Sequence, residues 1–189
     1  MNFRYFLFGL LLFQIPVHFA SAQQEFVVNL AINKFQNSAA KDYPMAVGFG
    51  MHYRENVSRR LQLGASIDFF VQKKSEVVND PTGKRRLVMV PITFQTAYYL
   101  TKVEHNKPYL IADVGFYMMQ SKIISKFKAL KPEFKPRPGI ATGLGYQFMI
   151  DESIGFNFCA KYHLIYAKQE SFNAFTFQAG FVMNFEGYL

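Results

Sequence analysis

Cysteine is almost absent from this chain, tryptophan is missing, and acidic residues are few. Cys159 is the sole cysteine, so no disulfide can form within the chain, and no thiolate cluster can bind a metal ion. Lys and Arg number 21 against 13 Asp and Glu. The composition excludes a disulfide-stapled scaffold and a cysteine-based metal or redox protein.

Long apolar runs are missing after residue 22. No run of about 18 apolar residues occurs there, so no membrane helix is expected. Before it, Arg4 precedes the apolar run FLFGLLLFQIPV, and small residues follow at Ala20–Ala22. The run is shorter than the ~20 residues that span a bilayer, so a cleaved signal peptide is favoured over an anchor. We expect a signal peptide at 1–22 and one mature domain at 23–189, with no cysteine beside the cleavage site to carry a lipid anchor.

What the mature chain does contain is apolar and polar residues in alternation. An apolar residue at every second position predicts β-strands with one apolar and one polar face. The eight predicted strands are Phe26–Lys34, Ala46–Arg54, Leu61–Gln72, Val88–Leu100, Tyr109–Gln120, Gly139–Ile150, Ser153–Tyr166 and Phe175–Phe185.

Glycine placement and the lengths of the connections add to the pattern. Nine of the 12 glycines fall on the polar face of the predicted strands. Small residues suit the interior of an eight-stranded barrel, which is just wide enough for side chains to fill. Long and short connections alternate, from two residues at Asp151 and Glu152 to the long segment between Ser121 and Pro138. This asymmetry is typical of transmembrane barrels.

Three architectures could use eight alternating strands: a membrane barrel, a soluble lipocalin-like barrel that carries a hydrophobic ligand, and a soluble sandwich. In either soluble fold the apolar face of each strand points inward. Its many phenylalanine side chains would exceed the space inside a small barrel. In a bilayer a closed barrel satisfies every backbone group and places the greasy face outside. The sequence therefore predicts an all-β, eight-stranded antiparallel up-and-down transmembrane β-barrel.

The Gly-rich stretches GIATGLGYQF and AVGFGMHYR, with a last strand ending at Phe185, resemble the small OmpA/OmpX-type outer-membrane barrels. Within that group the chain is most similar to porin-family "outer membrane protein beta-barrel domain" proteins of Bacteroidetes-type bacteria. The resemblance implies a Gram-negative outer-membrane protein with loops outside and both termini periplasmic. It also implies that a terminal aromatic, here Phe185, contacts the barrel assembly machinery. The residues EGYL after Phe185 depart from that pattern.

Several charged residues fall on the inward face: Arg54, Asp68, Asp113 and Lys161, with His52 and His163 beside them. Because a buried charge must be paired, we expect an internal network that joins Lys161 to one of the two aspartates. A filled lumen is the expectation, with a gated ion path as the alternative.

Some small barrels modify lipid A, and this activity needs a nucleophile beside a base. Ser66, His163 and Asp113 could be assembled into such a set on paper only, and Ile165 stands where the lipid A deacylase pattern has a serine two positions after the histidine. We therefore expect neither an enzyme nor a cofactor.

The two longest predicted loops are basic. Their Lys and Arg residues would meet the phosphates of lipopolysaccharide outside the cell, although a merely solvated surface is the alternative. They are Lys73, Lys74, Lys84, Arg85, Arg86, Lys122, Lys126, Lys128, Lys131, Lys135 and Arg137. We expect a monomer with a structural, adhesive or surface-interaction role, surrounded by outer-membrane lipid and without a nucleic-acid partner.

Overall fold

The computed structural model describes residues 23–36, 45–74, 84–101, 105–124, 134–167 and 171–185, and it contains eight strands. They are β1 Gln24–Phe35, β2 Ala46–Asn56, β3 Leu61–Lys74, β4 Lys84–Tyr99, β5 Asn106–Ile124, β6 Lys135–Met149, β7 Ile154–Ile165 and β8 Phe172–Phe185. Within these ranges no helix is long and apolar enough to cross a membrane.

Each strand pairs antiparallel with its sequence neighbours, and β1 also pairs with β8, so the sheet is a closed barrel. Directly paired residues trace a path once around the wall that returns to β1 ten residues beyond its start. The path is Gln24, Glu55, Leu63, Thr96, Ala112, Thr142, Tyr162, Phe175 and Lys34. This stagger requires strands that are strongly tilted against the barrel axis. The predicted fold class is confirmed.

The two faces of the wall differ sharply. On β1, Asn29 is 1% exposed and its neighbour Leu30 is 75% exposed. On β6, Gln147 is fully buried and Leu144 is 63% exposed. The apolar parity therefore faces outward, which is the reverse of a soluble ligand-carrying barrel or a sandwich. An apolar exterior around a hydrogen-bonded cylinder is the arrangement that hydrocarbon permits.

The inward-facing glycines make room for aromatic rings. A Cβ atom at Gly145 would lie 2.0 Å from Cζ of Tyr109, the residue directly opposite. A Cβ atom at Gly48 would lie 2.7 Å from Cδ1 of Phe70, which is likewise its direct partner. At these two positions a large ring lies over the backbone of the paired strand, and glycine leaves the space for it.

The barrel has two distinct ends. The short-turn end carries the connections 57–60, 100–105 and 150–153, and the long-connection end carries 36–45, 75–83, 125–134 and 166–171. A buried apolar cluster fills the lumen at the long-connection end. It contains Ala31, Phe35, Ala46, Phe70, Leu87, Met89, Tyr117, Met119, Ile165 and Ala174. A smaller cluster of Val27, Met149 and Val182 lies near the short-turn end.

One place in the wall lacks regular pairing. The β3–β4 register runs from Leu61 to Ile67 and resumes at Phe70, which omits the positions of Asp68 and Phe69. By the same register Asp68 faces Pro91, and proline has no N–H to donate to the Asp68 carbonyl. Pro91 nevertheless keeps its register with Tyr117 on the other side. The interruption is therefore local and lies beside a buried carboxylate.

Candidate functional site

The lumen near the short-turn end is organised around Glu25 on β1. Its carboxylate accepts hydrogen bonds from Gln147 Nε2 at 2.9 Å and from the Tyr99 hydroxyl at 3.2 Å. Arg54 Nε lies 3.4 Å from Glu25 Oε1, and the Arg54 guanidinium lies over the Tyr109 ring, 5.1 Å from its centroid. Arg54 is fully buried and Glu25 is 3% exposed. Glu25 is thus held by Arg54 from β2, Tyr99 from β4 and Gln147 from β6. Together these side chains fill the lumen at this level.

Two hydrogen-bonded polar pairs lie farther inside, and each includes an aspartate. His52 Nε2 donates to Asp68 Oδ1 at 3.2 Å, and Gln178 Nε2 from β8 donates to the same oxygen at 2.9 Å. Gly50, directly opposite Asp68 on β2, leaves the space that this carboxylate occupies: a Cβ atom there would lie 1.9 Å from Asp68 Oδ1.

The second pair joins β7 to β5. Lys161 Nζ donates to Asp113 Oδ2 at 2.8 Å, and Gln95 Nε2 from β4 lies 3.4 Å from the same oxygen. Lys161 and Asp113 are 1% and 5% exposed. The alternation left open which aspartate pairs with Lys161, and the structure gives Asp113.

The arrangement does not form a nucleophile–base pair from the candidate triad. Ser66 Oγ is 2.8 Å from Thr93 Oγ1, and His163 Nδ1 is 2.8 Å from the Tyr117 hydroxyl, while Asp113 bonds Lys161. Each member is therefore engaged by a different partner. Among the described residues, no group of three or more His, Cys, Asp and Glu side chains is placed to hold a metal ion.

Sequence patterns placed Arg54, Asp68, Asp113, Lys161 and His163 in the interior, and the structure buries all five. They do not form one continuous network. Arg54 pairs with Glu25 near the short-turn end. His163 instead forms a hydrogen bond with Tyr117, which belongs to the buried apolar cluster at the long-connection end. Glu25 was missed because the predicted strand began at Phe26. Extending the alternation one residue toward the N-terminus would have placed it inside.

The basic segments differ from their predicted form. Lys73 and Lys74 end β3, Lys84, Arg85 and Arg86 begin β4, Lys122 lies in β5, and Lys135 begins β6, so all of them extend strands rather than forming loops. Backbone pairing between the strands continues beyond the part of the wall whose outward side chains are apolar, which we call the apolar band. The alternation of apolar and polar residues that predicts a strand has ended there. Lys126, Lys128 and Lys131 lie outside the described residues.

Three of these basic positions form a row. Lys73 is directly opposite Arg86, and Arg86 is directly opposite Lys122, across three adjacent strands. All three fall on the parity that faces outward in the rest of their strands. We call Lys73, Arg86 and Lys122 the cationic row.

Charge is distributed unequally between the two ends. Ranges 34–45, 73–86, 122–137 and 166–171, at the long-connection end, contain fourteen Lys and Arg against five Asp and Glu. Ranges 55–60, 101–107 and 150–153, at the other end, contain four of each. The excess positive charge of the chain therefore belongs to one end of the barrel.

Phe185 is the last residue of β8, and its register partner is Gln24 at the start of β1. Its side chain is 52% exposed on the outward face. The residues after Phe185 lie outside the described part of the chain.

Arg137, near the start of β6, has its guanidinium 4.5 Å from the centroid of the Phe172 ring.

A closed eight-stranded antiparallel cylinder with an apolar exterior and an interior packed with both polar and apolar side chains has the architecture of a small transmembrane β-barrel. No protein-family model and no curated protein sequence matches the chain.

Solved structures of small outer-membrane barrels share this fold. Ail, the attachment invasion locus protein of Yersinia pestis, bound to the heparin analogue sucrose octasulfate, has a TM-score of 0.61 at 16% identity, over 88% of this chain and 100% of Ail. Neisserial surface protein A gives 0.62 at 14%, over 86% and 97%. OprG from Pseudomonas aeruginosa gives 0.59 at 12%, over 88% and 97%. Similarity at these identities establishes the fold; the porin-family and Bacteroidetes assignments stay predictions.

Proposed function

We propose that this protein is an outer-membrane barrel of Gram-negative bacteria whose long-connection end faces outside the cell and interacts with anionic groups there. The supporting observation is the charge distribution, with fourteen basic and five acidic residues at that end and four of each at the other. The outer leaflet of such a membrane carries the phosphates of lipopolysaccharide. In this orientation both ends of the mature chain are periplasmic, and residues 1–22 act as a cleaved signal peptide.

The phosphates of lipopolysaccharide are the proposed partner of the cationic row. Lys73, Arg86 and Lys122 occupy opposed backbone positions on the outward parity, at the level where the strands leave the apolar band. Lys and Arg form charge-assisted hydrogen bonds with phosphate oxygens. Ail, which shares the fold, is seen bound to a polyanion, sucrose octasulfate. A barrel whose long-connection end is basic is thus suited to a surface-interaction or adhesive role.

A pore and an enzyme are not proposed. The apolar cluster around Phe35, Phe70 and Tyr117 fills one end of the lumen, and the Glu25–Arg54 pair closes the other. We expect the monomeric protein to give no stepwise conductance in planar bilayers. Regular single-channel steps in the wild-type protein would contradict the filled-lumen proposal.

The phosphate proposal is tested by removing the row and comparing it with a matched loss of charge elsewhere. The variant Lys73→Gln, Arg86→Gln, Lys122→Gln is compared with Arg59→Gln, Arg60→Gln, Lys107→Gln at the short-turn end. Each basic residue near an anionic surface contributes about 1 kcal/mol, so losing the row should weaken binding to lipid A by roughly 100-fold at low salt. Binding is measured as retained lipid A by native mass spectrometry.

Both triple variants lose three positive charges, so a general charge effect would weaken both equally. That result would overturn the assignment of the row, as would unchanged binding by the row variant. Heat-modifiable gel mobility, which reports a folded barrel, is the folding control for each. Recovery of the wild-type protein from the periplasm in soluble form would contradict the outer-membrane location itself.

A further inference from the structure

The outward face of the wall has an apolar hollow of about 750 Å³ where β8 meets β7 and β1. Two alanines line it at its centre: Ala179 is directly opposite Phe158, and Ala160 is directly opposite Phe177. Leu30 and Phe177 are 75% and 60% exposed beside them. Large apolar side chains surround the alanines, among them Leu30, Ile32, Val47, Leu144, Phe158 and Phe177. The alanines thus leave a depression in an otherwise bulky apolar surface.

A lysine borders the hollow on the side of the long-connection end. Lys34 follows Ile32, which lines the hollow, by two residues on β1, and it is exposed on the outward face. Its direct partner on β8 is Phe175, two residues before Phe177, so Phe177 is a diagonal neighbour of Lys34. Diagonal neighbours in a sheet lie about 7–8 Å apart. Lys34 is therefore at the rim of the hollow.

The surroundings of Lys34 on this face are aromatic. The Phe175 ring lies 4.9 Å from the Phe177 ring and 6.5 Å from the Tyr162 ring, measured between centroids. Among the described residues, no carboxylate forms an ion pair with Lys34. A lysine at the edge of an apolar surface packs its stem on that surface and extends its ammonium group toward the headgroups. Anionic headgroups attract such a charge.

The hollow is within reach of a lipid whose headgroup is at Lys34. Leu30, directly opposite Ala179, precedes Lys34 by four residues on β1. Four residues rise about 13 Å along a strand, or roughly 10 Å along the axis of a barrel whose strands tilt by 35–45°. The hydrocarbon of one leaflet is about 15 Å thick. The acyl chain of a lipid in that leaflet therefore passes the level of the alanines.

A second copy of this chain is a poorer occupant. Copies in one membrane share their orientation, so a two-fold axis between them runs along the membrane normal and brings equivalent residues together. Packing this hollow against the same hollow of another copy would place two Lys34 side chains at one depth, where their charges repel. An anionic lipid is attracted by the same lysine.

We propose that Lys34 and the hollow form one binding site for a phosphate-bearing acyl lipid in the leaflet at the long-connection end. The phosphate pairs with Lys34, and one acyl chain packs on Ala160 and Ala179. The hollow is lined from β1, β2, β6, β7 and β8, whereas the cationic row lies on β3, β4 and β5. The site is therefore separate from the row and binds a lipid of its own.

The test measures the lipid that the folded protein retains in detergent, by native mass spectrometry. The probes are phosphatidic acid and diacylglycerol with the same two 16-carbon chains, so they differ in the phosphate alone. Ala160→Phe and Ala179→Leu fill the hollow, and Lys34→Gln removes the charge at its rim. Ala65→Phe is the matched control, because Ala65 is exposed on the outward face of β3, which does not line the hollow.

Two further controls isolate the site. Arg59→Gln removes one exposed positive charge at the short-turn end. Each change is made in the wild-type chain and again in the Lys73→Gln, Arg86→Gln, Lys122→Gln chain, so that lipid bound at the cationic row is counted separately. Heat-modifiable mobility verifies that each variant is folded.

We expect wild type and Ala65→Phe to retain both lipids, and to retain more phosphatidic acid than diacylglycerol. Ala160→Phe and Ala179→Leu should lower the binding of both lipids about five- to tenfold, because dispersion contacts with the acyl chain are lost. Lys34→Gln should weaken phosphatidic acid binding about fivefold and leave diacylglycerol binding unchanged. Arg59→Gln should change neither.

Unchanged lipid binding in both alanine variants overturns the site. An equal loss in Ala65→Phe overturns it too, because any outward bulk would then suffice. Equal binding of the two lipids by the wild-type protein contradicts the role of Lys34. A protein dimer that disappears in Ala160→Phe, while lipid binding stays the same, would make a second copy the occupant.

The two lipid proposals fail separately. If the row variant loses lipid A while the alanine variants still bind phosphatidic acid as wild type does, phosphate binding at the row stands and the hollow site fails. If the row variant keeps lipid A while the alanine variants and Lys34→Gln lose phosphatidic acid, the hollow site stands without the row.

Discussion

Replacing Lys161 by methionine tests whether the buried ion pair holds the lumen together. Lys161 Nζ is 2.8 Å from Asp113 Oδ2, and both residues are almost completely buried. Methionine fills a similar volume but leaves the Asp113 carboxylate without its cation. Removing one partner of a buried pair costs about 3–5 kcal/mol, largely because the other charge stays buried and uncompensated. We therefore expect the free energy of unfolding to fall by about that amount.

A second variant separates the lost pair from lost packing. Adding Asp113→Leu to Lys161→Met removes both charges, and the double variant should recover most of the lost stability. Lys107→Met, at the partly exposed short-turn end, is the control for removing a lysine and should change stability by no more than about 0.5 kcal/mol.

Stability is measured by urea unfolding in lipid vesicles. The chain has no tryptophan, so the folded fraction is followed by heat-modifiable gel mobility and far-ultraviolet circular dichroism rather than by indole fluorescence. The reasoning is refuted if Lys161→Met unfolds at the same urea concentration as wild type. It is also refuted if the double variant is no more stable than Lys161→Met.

Three further changes test the wall and its filling. Gly145→Val should cost about 1–3 kcal/mol in urea unfolding, because it collides with Tyr109, and much less in a Tyr109→Ala background. Leu144→Arg on the outward face should cost about 2–4 kcal/mol in the same assay, and an unchanged midpoint would contradict lipid contact there. Pro91→Ala supplies an N–H opposite the Asp68 carbonyl, so the new amide should exchange hydrogen as slowly as its strand neighbours in nuclear magnetic resonance; fast exchange would contradict the register.

Much of the barrel can be predicted from short stretches of sequence. Alternation of period two on β6 marks Ile140 and Leu144 for one face and Gly143 and Gln147 for the other, and the structure assigns them so. This succeeds because the two faces of a strand meet different solvents, and each residue's face depends only on its position in the strand. The polar parity also identified the residues that the lumen buries.

The ends of the strands were harder to predict. The greasy alternation ends near Gln72 and begins again at Val88, yet β3 continues to Lys74 and β4 starts at Lys84. Outside the apolar band, backbone pairing no longer requires apolar side chains, so the pattern that predicts the strands is lost while the strands continue. The opposed positions of the cationic row follow from that continuation.

Sequence by itself determined the number of strands, the face of each residue within the apolar alternation, and the glycine and polar residues of the lumen, but not the apolar cluster at the long-connection end. Only the tertiary structure decided which residues meet: Lys161 with Asp113, His52 with Asp68, and Arg54 with Glu25. Alternation is a local property, repeated every two residues. Contact across the lumen depends on the register of all eight strand pairs together, which brings the path around the wall back to β1 ten residues displaced. The sequence of a single strand does not contain the combined register of the eight strand pairs. The contacts across the lumen are therefore set only when the barrel closes.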